Sequence, residues 1–155
     1  MNKESKLLNE QLVKLFNDVL QIEEDTIKSG ALADLSITEL HTIETIGMYN
    51  ERTMSDVAHD LEITVGSLTT AINKLIKKGY VERKRIEEDR RVVLIKLTKK
   101  GKLAYRVHEK FHHEMIDEVI EELTEEEEGI LISSLEKLNN FFMRKKDTML
   151  RRNNE

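Results

Sequence analysis

The sequence predicts a mainly α-helical fold interrupted by one small β-hairpin. Three observations lead there. Apolar residues recur at helical spacing in six segments. Proline is absent, so none of those patterns carries the strongest helix breaker. One central stretch departs from this periodicity and is rich in β-branched residues around a polar turn.

The segment from about Ser5 to Lys28 places Leu8, Leu12, Leu15, Phe16, Val19 and Ile22 on a helical stripe, and Gly30 ends it. Ser36-Ile-Thr-Glu39 is a capping box, in which two side chains satisfy otherwise orphaned backbone N–H groups. Ile37, Leu40, Ile43 and Ile46 form the apolar stripe of the helix it opens, with Gly47 near the end. Thr53-Met-Ser-Asp56 starts a short helix ending near Leu61. Thr64 caps the next, which runs to about Lys78 and closes on Gly79 in a left-handed conformation. Tyr80 to Ile86 and Val92 to Leu97 read as two strands joined by the turn Glu87 to Arg91. Thr98 caps a long helix from about Lys99 to Leu123. Thr124-Glu-Glu-Glu127 caps the last, which continues through Ile130, Leu131, Leu135, Leu138, Phe141 and Phe142. The acidic run there suits the positive end of a helix dipole. The polar tail after Asp147 is expected to fray.

At 155 residues the chain fits one domain. The absence of cysteine excludes disulfides, thiolate metal sites and redox sensing through its own thiols. No apolar run approaches the ~18 residues of a membrane span, and no apolar leader opens the chain, so a cytoplasmic location with no membrane partner is expected. Catalysis is not expected: there is no phosphate-binding glycine loop and no nucleophile elbow, and no spacing organises serine, histidine and acid into a triad.

A net charge of −5 argues at first against a nucleic-acid partner. Its distribution reverses that. Lys74 to Lys110 holds 14 Lys and Arg against 5 Asp and Glu, a balance of +9, while the remainder holds 11 against 25, a balance of −14. Such asymmetry confines an electrostatic footprint to one surface.

That basic region follows two short helices joined only by Glu62 and Ile63, the tight pairing a helix-turn-helix requires. Divided at 100° per residue, the second helix turns Val65, Leu68, Ile72, Leu75 and Ile76 to the core. Gly66, Thr70, Asn73, Lys74 and Lys77 lie opposite, flanked by Ser67 and Thr69. Small polar residues permit close approach to base edges, asparagine suits adenine, and Lys74 and Lys77 suit phosphate. The hairpin adds Arg83, Lys84 and Arg85 on its arms and Asp89, Arg90 and Arg91 at its tip. A basic hairpin beside a reading helix is a wing, whose tip arginine can enter a narrow minor groove. Asp89 would be repelled by phosphate, so its expected work is to orient a neighbouring arginine. The fold is thus a winged helix-turn-helix, and the expected DNA contacts are Ser67, Thr69, Thr70, Asn73, Lys74, Lys77, Arg83, Asp89, Arg90 and Arg91.

The string DRRVVLIKLTKKG, from Asp89 to Gly101, resembles the wing signature of the MarR-type regulators, and ITVGSLTTAINKLIKKGYVERKR upstream resembles their recognition helix and first wing strand. The likeness covers nearly the whole chain. It implies a homodimeric DNA-binding protein whose terminal helices form the dimer, with Arg91 on the family's minor-groove arginine and Asp89 on its supporting aspartate. It also implies one domain over 1–155, with a winged-helix core at 36–99 and dimerisation helices at 1–35 and 100–155. QIEED, ITELHTIETIG and RVHEKFHHEM resemble the streptococcal-type repressors of fatty-acid synthesis. That narrower likeness implies an acyl-chain co-repressor carried on acyl carrier protein.

The residues point to a dimer independently, because the terminal helices carry more apolar surface than one small winged core can cover. Leu12, Phe16, Leu131, Leu135, Leu138 and Phe142 are the expected interface. Two copies would read a pseudo-palindromic operator on double-stranded DNA, with half-sites about 34–36 Å apart. Other readings stay open. His108 and His112 lie one helical turn apart and His41 on another helix, so these three are the candidate ligands of a zinc-responsive regulator. The same histidines also suit helix packing or the lining of a cavity for another small apolar ligand, with no cofactor at all. A purely helical interaction protein would differ from all of these in failing to bind duplex DNA even at low salt.

Overall fold

The computed structural model describes residues 2–85 and 92–153, with the side chains of 147 and 150–153 left out of the description. The elements follow as α1 (Lys3–Ser29), α2 (Ile37–Ile46), β1 (Arg52–Thr53), α3 (Met54–Asp60), α4 (Val65–Lys77), β2 (Val81–Arg85), β3 (Val93–Leu97), α5 (Lys99–Glu121) and α6 (Glu125–Asn153). Among the described residues no helix is long and apolar enough to cross a membrane. The chain divides into two compact units, 1–109 and 110–155, with the division inside α5.

The first unit is built from caps the sequence announces. Ser36 and Glu39 bond each other's backbone N–H groups at 3.2 and 2.8 Å. Thr53 and Thr64 each accept the N–H three residues on, at 3.1 Å. Between α3 and α4 the chain reverses through Glu62, with φ 54°, and the Ile63 N–H returns to the Ala58 carbonyl at 3.0 Å. The end of α4 repeats this closure: Gly79 takes φ 82°, and the Tyr80 N–H reaches the Leu75 carbonyl at 2.9 Å. Both are helix ends whose last carbonyls are satisfied by a left-handed residue. One uses glycine; the other holds a glutamate there at a steric cost.

The wing has one strand more than the sequence suggested. The sheet order is β1-β3-β2, all antiparallel, with Arg52 opposite Ile95 and Arg83 opposite the same Ile95 on the other side. Two residues are too few to carry a periodic signal in the sequence. Arg52 also fastens the site's frame: its guanidinium donates to the Thr45 carbonyl and to Asp60, both at 2.7 Å.

The core lies under the helix-turn-helix. Leu40, Ile43, Val57, Leu68, Leu75, Tyr80 and Ile95 are completely buried. The buried Tyr80 hydroxyl donates to Asp34 at 2.6 Å, which, with burial first, raises its pKa. Where α5 begins, Gly101 passes so close to Tyr80 that a Cβ would stand 2.1 Å from the Tyr80 carbonyl oxygen. Thr98 completes the junction, accepting the Gly101 N–H at 3.1 Å and donating to the Gly79 carbonyl at 2.7 Å.

One expectation needs correction. Val65 is 46% exposed rather than in the core. It occupies the first helical position, and the packed stripe starts one turn later, at Leu68. Helix α6 runs on to Asn153.

Candidate nucleic-acid interface

Helix α4 and the wing strands present the surface the sequence nominated. Ser67, Thr70, Asn73, Lys74 and Lys77 are exposed on α4, Thr69 is half-buried, and Arg83 is exposed on β2. Asp89, Arg90 and Arg91 lie outside the described residues.

Local bonding changes what several of these groups can offer. Thr64 donates its hydroxyl to Ser67 Oγ at 2.9 Å, so Ser67 keeps its own O–H for an outside partner. Thr69 instead turns its hydroxyl back onto the Val65 carbonyl at 2.8 Å, and Thr70 leans toward the Gly66 carbonyl at 3.4 Å. Thr69 therefore contributes a methyl group more than a donor. Arg83 Nη1 donates to Asn73 Oδ1 at 3.0 Å, joining reading helix to wing. Lys96 is spent within the wing, between Glu51 at 3.2 Å and Glu82 at 3.3 Å, whereas Arg83, Lys84 and Arg85 stand exposed along β2.

Beside this face lies a feature the periodicity did not disclose. Thr53, Met54 and Ser55, Val65 and Thr69 of α4, and Arg83, Val92 and Val93 of the wing line a cleft of about 370 Å³. Spacing alone assigns Val65 to the core, because it does not separate the first turn of a helix from the second.

The candidate metal residues are partly brought together within the first unit. Glu23, His41 and His108 point one ligand atom each into a space under 4.8 Å across. Glu23 Oε1 lies 2.5 Å from His108 Nε2 and 3.3 Å from His41 Nε2. His108 Nδ1 lies 2.7 Å from Glu44 Oε1. With a carboxylate on each ring nitrogen, the buried imidazole is arranged to donate twice, as the protonated ring does. Burial pushes its pKa down; Glu44 and Glu23 push it up, and the net direction is up. Spacing in the sequence nominates the histidines but neither Glu23 nor Glu44, which come from helices distant along the chain. His112 belongs to the second unit, half-buried, with its ring 5.2 Å from Phe111.

The expected interface residues hold large apolar surfaces to solvent. Phe16 is 58% exposed, Leu131 40%, Leu135 45% and Phe142 51%, with Leu12 and Leu138 half-buried.

Two short helices joined by a left-handed turn, a polar and basic face on the second, and a basic three-stranded wing beside it define a winged helix-turn-helix DNA-binding protein. Comparison with known proteins agrees. The MarR family model matches residues 35–93. The HTH-type transcriptional regulator BilQ of Clostridium symbiosum is 30% identical over 104 residues, covering 67% of this chain and 72% of that protein. The crystal structure of Streptococcus pneumoniae FabT in complex with DNA is 42% identical, with a TM-score of 0.86, and covers 90% of this chain and 98% of that one. The Staphylococcus aureus MepR–DNA complex, at 19% identity, TM-score 0.70 and coverage of 86% and 96%, shares the fold. The chain belongs to the MarR family: it is a DNA-binding transcriptional regulator, not an enzyme.

Proposed function

We propose that this regulator is a cytoplasmic homodimer that represses fatty-acid synthesis genes, with a long-chain acyl group on acyl carrier protein as co-repressor. The observation that carries the reading is the 42% identity to FabT over 98% of that chain. The likeness of QIEED, ITELHTIETIG and RVHEKFHHEM to the fatty-acid repressors supports it. The exposed apolar stripes of α1 and α6 suit a second copy as their cover. Two reading helices would then enter successive major grooves of a pseudo-palindrome, while the wings reach the flanking minor grooves, the contact for which the sequence nominates Asp89, Arg90 and Arg91. An effector changes affinity only if it binds the two arrangements of the reading heads unequally. The test measures binding to the chain's own promoter region with acyl carrier protein loaded, unloaded or absent. Tighter binding with the loaded form alone is expected; no difference would sink the lipid assignment.

One observation favours a second reading. Glu23, His41 and His108 supply a carboxylate and two imidazoles, a donor set that suits zinc. Zinc-dependent DNA binding, lost in His41→Ala and His108→Ala, would make this a metal-responsive regulator instead.

A further inference from the structure

The cleft beside the reading helix is apolar where a DNA-reading surface is usually polar. Val65 opens α4 and stands 46% exposed. The Thr69 hydroxyl is committed to the Val65 carbonyl at 2.8 Å, leaving its γ-methyl as the group available outside. Met54, Val92 and Val93 complete the apolar lining, while Thr53, Ser55 and Arg83 supply the polar remainder. The cleft is continuous with the reading face, since Arg83 on its wall is bonded to Asn73 on α4. The N-terminal residues of a recognition helix are those that meet base edges. In the major groove one base alone presents an apolar group, the 5-methyl of thymine.

We infer that this cleft seats the 5-methyl group of one thymine in each half-site, and that Val65 and Thr69 set that preference. The inference rests on the DNA-binding reading and adds a specificity rule to it. Burying one extra carbon changes affinity about fourfold, or roughly fifteenfold when both half-sites lose it.

The experiment selects a duplex from a random library with the full chain, then replaces each thymine pair in turn by uracil, which lacks only the methyl. One symmetry-related pair should weaken wild-type binding by roughly these factors. In Val65→Ala, and in Thr69→Ser, which keeps the hydroxyl, thymine and uracil duplexes should bind more nearly alike. Both positions are outside the buried core, so folding is preserved, and a melting curve verifies it. If no thymine shows sensitivity, or sensitivity persists undiminished in both variants, the methyl is not read here. If Val65→Ala weakens thymine and uracil duplexes equally, a sugar face or a small apolar effector occupies the cleft, and the inference falls. Failure to select any duplex would overturn the DNA-binding reading itself.

Discussion

Arg83 Nη1 donates to Asn73 Oδ1 at 3.0 Å, so the wing's first strand fixes which way the amide of the reading helix faces. The Nδ2 hydrogens, on the other side of the amide, are thereby turned away from Arg83. Asn73→Ala and Arg83→Ala should each weaken cognate DNA binding, by roughly 1–3 kcal/mol if the contact is to a base edge. The double variant should lose less than the sum, because removing either partner already frees the other. Strict additivity would mean that the two act on DNA independently.

Lys74 and Lys77 are exposed in the last turn of α4. Each lysine that neutralises one phosphate contributes about 0.9 to the slope of log affinity against log salt, and its alanine variant should flatten the slope by that amount at each half-site. Weakening should be uniform across sequences. A change in sequence preference would show that the lysine reads a base.

Gly101→Ala places a Cβ 2.1 Å from the Tyr80 carbonyl oxygen, a backbone atom that cannot rotate away. Such overpacking costs roughly 1–3 kcal/mol, or several degrees of Tm. An unchanged melting temperature would show that the start of α5 shifts freely.

Glu39 accepts the Ser36 N–H at 2.8 Å and both oxygens face Lys78 Nζ at 2.9 and 2.8 Å. Burial raises its pKa, yet Lys78 and the Ser36 N–H outweigh it, and the folded value lies below the usual one. Asp34 nearby is also lowered, chiefly by the Tyr80 hydroxyl. A depressed folded pKa contributes stability that is present above the unfolded value and lost as pH falls through the folded one. Melting temperature should therefore drop below about pH 4 to 5, and Glu39→Gln should make that drop shallower. An identical acid profile in the variant would remove the assignment.

His108 joins helices α1, α2 and α5 through Glu23 and Glu44. Removing one member of a buried charged pair costs roughly 3–5 kcal/mol, while removing both with apolar replacements costs less. In chelator, His108→Leu should be markedly destabilised, and Glu23→Leu with His108→Leu should recover part of the loss. No recovery would show that packing, rather than charge, dominates there.

The sequence disclosed what short-range chemistry controls. Caps at Ser36, Thr53, Thr64 and Thr124 announce four helix starts, and the charge asymmetry nominates one basic region for a nucleic-acid partner. What it hid depends on partners far along the chain. Arg52–Thr53 becomes a strand only because β3 lies beside it. His108 meets Glu23 across 85 positions, where spacing within one helix suggested only His112. Val65 matched the core stripe in angle but not in depth, because a helical wheel carries no information on where the neighbouring elements end.

Strand β2 sits at the rim of the sheet, paired on one side only, with its outer hydrogen-bonding edge available. Along it run Glu82, Arg83, Lys84 and Arg85, all exposed. An open strand edge invites another chain to add to it, and clustered charge is a common defence. The arginines proposed to meet DNA are therefore also placed to discourage one molecule's wing from pairing with another's. Replacing Arg83, Lys84 and Arg85 by valine or threonine would cost more than operator affinity. It would turn a nucleic-acid contact into a seed for intermolecular sheet growth, visible as turbidity once no duplex shields the edge.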